Sequence, residues 1–317
     1  MVLTLGWVES DSRRATLKAM KRRPPLVALL APSALLALIV ALAATAPIEQ
    51  ARGAFAGRNG KIAYTVGRLG ADSLFTMRPD GSAKRRVAPG AHDPAFSPTG
   101  KKIAFERNGN IWTMRANGSH VRRLTHGPAE DSAPSFSPSG KRLVFNRFVF
   151  DKINALYTIR ADGSHVRRLP KSGGLAQPQF SPNGRWIVSS GCGIVIMRAR
   201  ASRPHPRSLT HGTCGRFRDS NPDFSPNGHR IAFERIANER GGIWVMRLDG
   251  SDKTRIHAGG RNDHQPAFSP NGRRIAFMID GAVGKAIYTM RTDGSDAVRL
   301  TRADGFADAP SWGVRPR

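Results

Sequence analysis

The chain repeats one phrase at a nearly constant interval over most of its length. The phrase is Pro-x-Phe-Ser-Pro-x-Gly followed by a short apolar run, and copies begin at residues 94, 134, 178, 222 and 266. Their phenylalanines are therefore 40 or 44 residues apart. An interval of this size indicates that each copy is one supersecondary unit, which buries its apolar faces only by stacking against its neighbours.

A second phrase recurs in step with the first. An apolar or aromatic run is followed by Met-Arg-x-Asp-Gly-Ser, for example at 74–82, 243–251 and 287–295. Ser-Pro-x-Gly has the residues of a tight turn, and Asp-Gly is the signal of a two-residue hairpin. Each repeat therefore predicts four short strands, which is the content of one propeller blade.

The first and last copies are incomplete in complementary ways. The copy that begins at Lys61 has no Pro-x-Phe strand, whereas the segment 309–313 is such a strand with no second strand after it. We therefore expect these fragments to complete one blade and close the ring. The prediction is an all-β, six-bladed β-propeller over residues 57–317, closed by a C-terminal strand. Its predicted blades are 61–88 with 309–313, 94–125, 134–169, 178–210, 222–256 and 266–301.

Both phrases resemble the WD-like repeats of TolB-type β-propeller proteins, and the resemblance covers residues 61–313. It implies the propeller fold. TolB itself is a periplasmic protein of an envelope complex, with an α/β domain before its propeller and a peptidoglycan-associated partner. We expect that N-terminal domain to be lacking here, because too few residues separate the export segment from the first blade. The resemblance therefore implies a fold more strongly than a role.

The N-terminal region has the pattern of an export segment. Residues 26–46 contain no charged side chain, and Lys21, Arg22 and Arg23 stand directly before them. A basic start, an apolar run and small residues afterwards indicate a signal peptide, predicted over 1–56, although the run is also long enough for an uncleaved membrane anchor. Translation starts at Met1 or Met20. Either way, the propeller is predicted to be extracytoplasmic: periplasmic, associated with the cell wall or secreted.

The net charge of +27 first suggests nucleic-acid binding. Residues 61–317 hold 42 Lys and Arg against 20 Asp and Glu, and many of the bases fall in the predicted outer strands, where charge prevents edge-to-edge pairing. An exported protein seldom meets chromosomal DNA, so we expect no nucleic-acid partner. An envelope protein or an anionic cell-wall polymer remains as the predicted partner, with the chain itself a monomer.

The sequence contains no zinc-protease, serine-hydrolase, phosphate-binding or dinucleotide-binding motif, and we expect no cofactor or bound metal. The prediction is a non-catalytic propeller that acts as a protein-binding or scaffold module at the cell envelope. The alternatives are a glycan lyase or hydrolase with its site at the channel mouth, or docking to anionic wall polymers. Propellers place the connections that carry most non-repeating polar residues on one face. The candidate ligand or partner residues on that face are His92, Asp93, Asp131, Asp219, His257, Asp263, His264 and Asp308.

The recurring acids among these candidates also have a structural interpretation. Asp131, Asp219 and Asp263 each stand three residues before the blade-opening proline, so they recur with the repeat. A recurring Asp typically bonds to nearby backbone amides. The histidines at 92, 257 and 264 do not recur, which makes them the better candidates for ligand contact.

The fourth blade departs from the repeat, since it lacks the Asp-Gly turn and holds both cysteines. The topology puts Cys192 and Cys214 in neighbouring loops on one face, and in an exported protein this predicts a disulfide, the alternative being two free thiols. The same blade is rich in arginine, so we place a candidate basic interaction patch there. Its residues are Arg200, Arg203, Arg207, Arg216 and Arg218.

Overall fold

The computed structural model describes residues 55–67, 72–150, 152–200, 205–210, 217–238, 240–258 and 262–316, with only the backbone of Phe217. These residues form six antiparallel sheets of four strands each. Five of the sheets take their strands in sequence order from the inside outward, as a propeller blade does.

The strands have the following bounds. Blade 1 contains β1 (Asn59–Val66), β2 (Ser73–Met77), β3 (Arg85–Pro89) and, innermost, β24 (Ala307–Val314). Blade 2 contains β4 (His92–Phe96), β5 (Lys102–Arg107), β6 (Asn110–Arg115) and β7 (Arg122–Arg123). Blade 3 contains β8 (Glu130–Phe136), β9 (Arg142–Phe148), β10 (Ala155–Arg160) and β11 (Arg167–Arg168). Blade 4 contains β12 (Ala176–Phe180), β13 (Trp186–Ser190), β14 (Ile194–Arg198) and β15 (Arg207–Ser208). Blade 5 contains β16 (Phe217–Phe224), β17 (Arg230–Ala237), β18 (Arg240–Arg247) and β19 (Thr254–His257). Blade 6 contains β20 (Asn262–Phe268), β21 (Arg274–Asp280), β22 (Lys285–Arg291) and β23 (Val298–Arg299).

The ring is closed by β24, which pairs antiparallel with β1. Ile62 is opposite Trp312 in this pairing, and both side chains are buried. Because β24 comes from the end of the chain and β1 from the start of the propeller, blade 1 joins the two ends of the repeat array. The predicted six-bladed fold with a C-terminal closing strand is confirmed.

The apolar side chains pack mainly between neighbouring blades. Phe105 and Met114 of blade 2, for example, pack with Ala63 and Leu74 of blade 1. The tight turns follow from the repeated phrases: Gly100 has φ +66°, and its amide donates to the carbonyl of Ser97 at 2.8 Å. The sequence thus supplies both the turns and the apolar faces on which the blades stack.

The glycine of the repeated hairpin between the third and fourth strands is in contact with the preceding blade. A Cβ at Gly118 would lie 2.7 Å from the carbonyl oxygen of Val87, and one at Gly250 would lie 2.9 Å from that of Leu209. Both glycines have a positive φ. Glycine is therefore required there by backbone conformation and by close packing together.

The outer strands are short, only two residues long in blades 2, 3, 4 and 6. A short, charged outer strand offers little free edge to another sheet. Two of the outer arginines also contact the following blade: Arg122 Nη2 donates to the carbonyl of Asp162 at 2.8 Å, and Arg207 Nη1 to that of Asp249 at 3.0 Å. Part of the positive charge therefore joins neighbouring blades.

Among the residues described here, no helix is long and apolar enough to span a membrane. The predicted signal peptide or anchor at 1–56 lies almost wholly outside the described residues, and it stays a prediction.

Candidate functional site at the channel mouth

The channel mouth is the face that carries the turns between the second and third strands and the connections that lead into each innermost strand. Each innermost strand contains a bulge just before its Pro-x-Phe phrase. The residue before the proline has φ between 47° and 62° although none of the six is glycine. These residues are Asp93, Ala133, Gln177, Asn221, Gln265 and Ala309. Since a bulge redirects its neighbouring side chains, it determines which partners the candidate residues meet.

Two of the predicted acids are held by arginines of their own blade. Arg147 Nε and Nη2 donate to Asp131 Oδ1 and Oδ2 at 2.6 and 2.7 Å. Arg235 binds Asp219 in the same way, at 2.6 and 2.8 Å. Both carboxylates are buried. The recurring interaction is thus a bidentate ion pair with the second strand, in place of the expected bonds to backbone amides.

Each of these arginines also stacks on two aromatic rings. The guanidinium carbon of Arg147 lies 5.4 Å from the ring centre of Phe145 and 4.9 Å from that of Tyr157. Arg235 is placed similarly, at 5.5 Å from Phe233 and 4.8 Å from Trp244. Aspartate, arginine and two aromatic rings therefore form one structural unit, which recurs in blades 3 and 5.

In blade 6 the residue opposite the recurring acid Asp263 is Ile279, and the acid is paired instead with a histidine of blade 5. His257 Nδ1 lies 2.9 Å from Asp263 Oδ2, and its ring lies 4.8 Å from the ring centre of Phe277. Asp263 is fully buried. His257 and Asp263, both predicted to face a ligand, are therefore brought together as a pair that joins blade 5 to blade 6.

In blade 2, His92 faces a carboxyl group that was not predicted. His92 Nε2 lies 3.5 Å from Glu106 Oε1, and Gly109 N donates to the same oxygen at 3.2 Å. Burial raises the pKa of Glu106 to about 7, while the nearby His92 acts in the opposite direction. Asp93, next to His92, is buried. Glu106 therefore titrates near neutral pH at this mouth.

His264 of blade 6 reaches across to blade 5. Its Nδ1 lies 3.4 Å from Glu234 Oε2, and Ser220 Oγ donates to Glu234 Oε1 at 2.6 Å. Burial alone would raise the pKa of Glu234, but hydrogen bonds from His264, Ser220 and Asn221 outweigh it and lower that pKa to about 2. Burial also opposes the charged form of His264, yet Glu234 raises its pKa above the usual value. The two blades are joined by a buried ion pair.

The network around Glu234 continues from blade to blade. Gln265 N donates to Glu234 Oε2 at 3.0 Å, and Gln265 Oε1 accepts a bond from Ala309 N at 2.8 Å. Lys285 Nζ of blade 6 lies 3.7 Å from Asp308 Oδ2 of blade 1. The polar residues of the inner strands thus serve first to connect neighbouring blades.

The structure places the predicted mouth residues in separate pairs around the ring. Within the described part of the chain, no three His, Cys, Asp or Glu side chains come together in a way that could hold a metal ion. The sequence analysis missed Arg147, Arg235, Glu106 and Glu234. Their signal was present, because Phe-Glu-Arg ends the apolar run at 105–107 and again at 233–235, and Phe-Asn-Arg ends it at 145–147.

The predicted features of blade 4 are only partly described. Arg203, Arg216 and Cys214 lie outside the described residues. Cys192 is disulfide-bonded, and its pairing with Cys214 stays a prediction. Arg200 and Arg218 are exposed, whereas Arg207 contacts the hairpin of blade 5.

Large apolar side chains are exposed at two turns of the channel mouth. Phe150 and Ile153, between β9 and β10, are 82% and 74% exposed. Val283, in the equivalent turn of blade 6, is 69% exposed. Lys152 in the same blade 3 turn is also exposed, and so is Lys171 in the connection that follows β11. Exposed apolar groups on a loop, with charged neighbours, are typical of surfaces that contact other molecules.

Comparison with known proteins gives a consistent result for the fold. Residues 60–261 match the TolB beta propeller domain family. An uncharacterized protein of Agrobacterium fabrum is 35% identical over 88 residues, which are 25% of this chain and 30% of that protein. The chain thus matches under a third of that relative's length.

Two solved structures have a similar fold. The crystal structure of TolB from Acinetobacter baumannii superposes with a TM-score of 0.71 at 20% identity, covering 81% of this chain and 67% of that one. An oligogalacturonate lyase in complex with manganese superposes with a TM-score of 0.55 at 11% identity, covering 80% and 78%. At these identities the likeness concerns the fold alone.

Proposed function

Because the chain belongs to the TolB beta propeller domain family, we propose that it is a non-catalytic module that binds a protein partner at the cell envelope. The observation that carries this proposal is the exposed apolar pair Phe150 and Ile153 at the channel mouth. Rigid blades present these side chains on a loop, which is how many scaffolds carry their binding residues. The apolar stretch at 26–46 supports export, so the partner would be extracytoplasmic.

Several observations favour binding over catalysis at the mouth. Asp131 and Asp219 each accept two bonds from an arginine, and Asp263 is paired with His257. A general acid or base must reach the proton that it transfers, and these carboxylates are already paired with side chains of the propeller itself. The glycan lyase or hydrolase alternative therefore has less support.

Crosslinking of the full-length chain in its own envelope, followed by mass spectrometry, tests the proposal. We expect a protein crosslinked at the blade 3 turn in the wild type and lost in a Phe150→Ser, Ile153→Ser double variant. Val166→Ser is the matched control, because Val166 is exposed but lies beside the outer strand of the same blade. Equal crosslinking in all three proteins would contradict the proposed binding surface. Crosslinks to wall polymer alone would favour docking to anionic polymers.

A further inference from the structure

Blade 2 contains the arginine of the Asp–Arg–aromatic unit without its aspartate. The guanidinium carbon of Arg107 lies 5.2 Å from the ring centre of Phe105 and 5.4 Å from that of Trp112. This is the stacking seen for Arg147 and Arg235. The position that Asp131 and Asp219 occupy, three residues before the blade-opening proline, is held in blade 2 by Ala91. We call Ala91, Phe105, Arg107 and Trp112 the Arg107 site.

In the other blades, either the acid at the first position has a basic partner or both positions are uncharged. Blades 3 and 5 have aspartate and arginine at the two positions, whereas in blade 6 the residue opposite Asp263 is Ile279 and the acid is paired with His257 of blade 5. Blades 1 and 4 have no charged residue at either position: the pairs are Ala307 with Val66, and Leu175 with Gly191. Blade 2 thus differs from the others, because Arg107 is a base that no acid of its own blade neutralises.

The missing carboxylate is not supplied from elsewhere in the described structure. No described Asp or Glu oxygen lies within ion-pair distance of Arg107, whose Nε is buried without a hydrogen-bond acceptor. Burial lowers the pKa of Arg107. A buried donor without an acceptor is unfavourable, and in blades 3 and 5 the equivalent stacked arginine is paired with a carboxylate through two hydrogen bonds. The Arg107 side chain is half-buried as a whole, so a carboxylate arriving from solvent would meet its terminal nitrogens.

We propose that the Arg107 site binds a carboxylate side chain of the protein partner. The inference rests on the proposed function and names one chemical requirement of the partner: an aspartate or glutamate. The pairs in blades 3 and 5 show the geometry that such stacked arginines accept, with oxygens 2.6 to 2.8 Å from nitrogen. A protein is favoured over a uronate polymer, because Phe150 and Ile153 on the same face suit apolar side chains, which a polyuronate lacks.

Fluorescence anisotropy with a labelled hexaglutamate peptide tests the inference on the full-length protein. Arg107→Met keeps the aliphatic packing on the aromatic rings and should weaken binding about tenfold, as loss of a charge-assisted pair does. Arg107→Lys should also weaken it, since lysine lacks the fork. Arg240→Met is the control: Arg240 is exposed in the equivalent turn of blade 5, so this variant has the same net charge but an intact site. We expect Arg240→Met to change affinity less than about twofold.

Ala91→Asp introduces into blade 2 the carboxylate that blades 3 and 5 have at the equivalent position. It should weaken peptide binding as much as Arg107→Met, because the new carboxylate occupies the site. An equal loss of peptide affinity in Arg107→Met and Arg240→Met would overturn the inference, because it would show only a general attraction between charges. Tight binding of hexagalacturonate but not of the peptide would overturn it in favour of a glycan. Envelope crosslinks that depend on Phe150 but not on Arg107 would overturn this inference and leave the proposed function standing.

Discussion

At the scale of single residues, identical local sequences acquire different chemistry from their neighbours. Ile-Ala-Phe-Glu-Arg occurs in blades 2 and 5, yet the pKa of Glu106 is raised to about 7 and that of Glu234 is lowered to about 2. Glu234 accepts bonds from Ser220 and Asn221 and is paired with His264. Glu106 accepts fewer hydrogen bonds, so burial dominates its pKa. The repeat therefore sets the position of a glutamate, and the adjacent inner strands set its charge.

The buried His264–Glu234 pair gives stability a definite pH dependence. The folded-state pKa of His264 is raised, so its contribution is full below the unfolded value of about 6.5 and is lost as pH rises through the folded value. The folded-state pKa of Glu234 is lowered, so its contribution is full above about pH 4.5 and is lost as pH falls toward about 2. The pair therefore stabilises most between these limits.

We expect His264→Asn to lower the free energy of unfolding by about 2 kcal/mol or more near pH 5.5, with a smaller loss at pH 9. Urea unfolding at a series of pH values measures both. His229→Gln is the control, since His229 is exposed. A loss from His264→Asn that is the same at both pH values would contradict the ion pair.

The partners of the mouth residues show where sequence reasoning stops. The recurrence of Asp131 and Asp219 predicts a repeated structural role, and the structure gives them one. The arginine that binds each acid lies 16 residues later, on the next strand, and meets it only because the bulge sets the register between the strands. A non-glycine residue with positive φ directly before proline leaves no signature in the sequence. The fold was predictable from turns and spacing, whereas the pairing of these acids with their arginines was not.

At the scale of elements, the hairpin between the third and fourth strands is the contact that a blade makes with the outer strand before it. Gly250 has φ +91° and approaches the carbonyl of Leu209 in the preceding blade. The repeated Asp-Gly-Ser phrase is therefore both a turn and a packing surface. This dual use explains why the hairpin glycine recurs in five blades.

A pair of glycine substitutions separates these two roles. Gly250→Ala should lower the free energy of unfolding by about 2–4 kcal/mol, because the methyl group adds a clash to the cost of a positive φ. Gly90→Ala should cost only about 1–2 kcal/mol, because Gly90 has φ +60° but no atom within 4 Å of the new Cβ. Chemical denaturation of both variants makes the comparison. Equal losses would show that packing against blade 4 adds nothing.

At the scale of the whole molecule, stability depends on closing the ring. The strand β24 supplies the inner edge of blade 1, and Ser311 Oγ accepts a 3.3 Å bond from Phe96 N in blade 2. Removing this strand would expose the edge of β1 and the apolar contacts around Trp312. Neighbouring blades would then lose the packing contacts that hold them to one another.

Deletion of residues 307–317 is therefore expected to abolish the single cooperative unfolding transition and to make the propeller sensitive to trypsin. Differential scanning calorimetry and limited proteolysis test both effects. Deletion of 315–317 alone is the control, since it leaves β24 in place. A β24-deleted protein that unfolds in one transition at the wild-type temperature would refute this role for the strand.

The pairing of β24 with β1 also has a kinetic consequence. Ile62 and Trp312 stand opposite each other although nearly the whole propeller separates them along the chain. Contacts of such long range form late, because loop closure must come before the gain from pairing. While the chain is being synthesised, blade 1 is completed only after its last strand, β24, has emerged. The closing strand therefore postpones formation of the complete ring until the C-terminal end of the propeller is available.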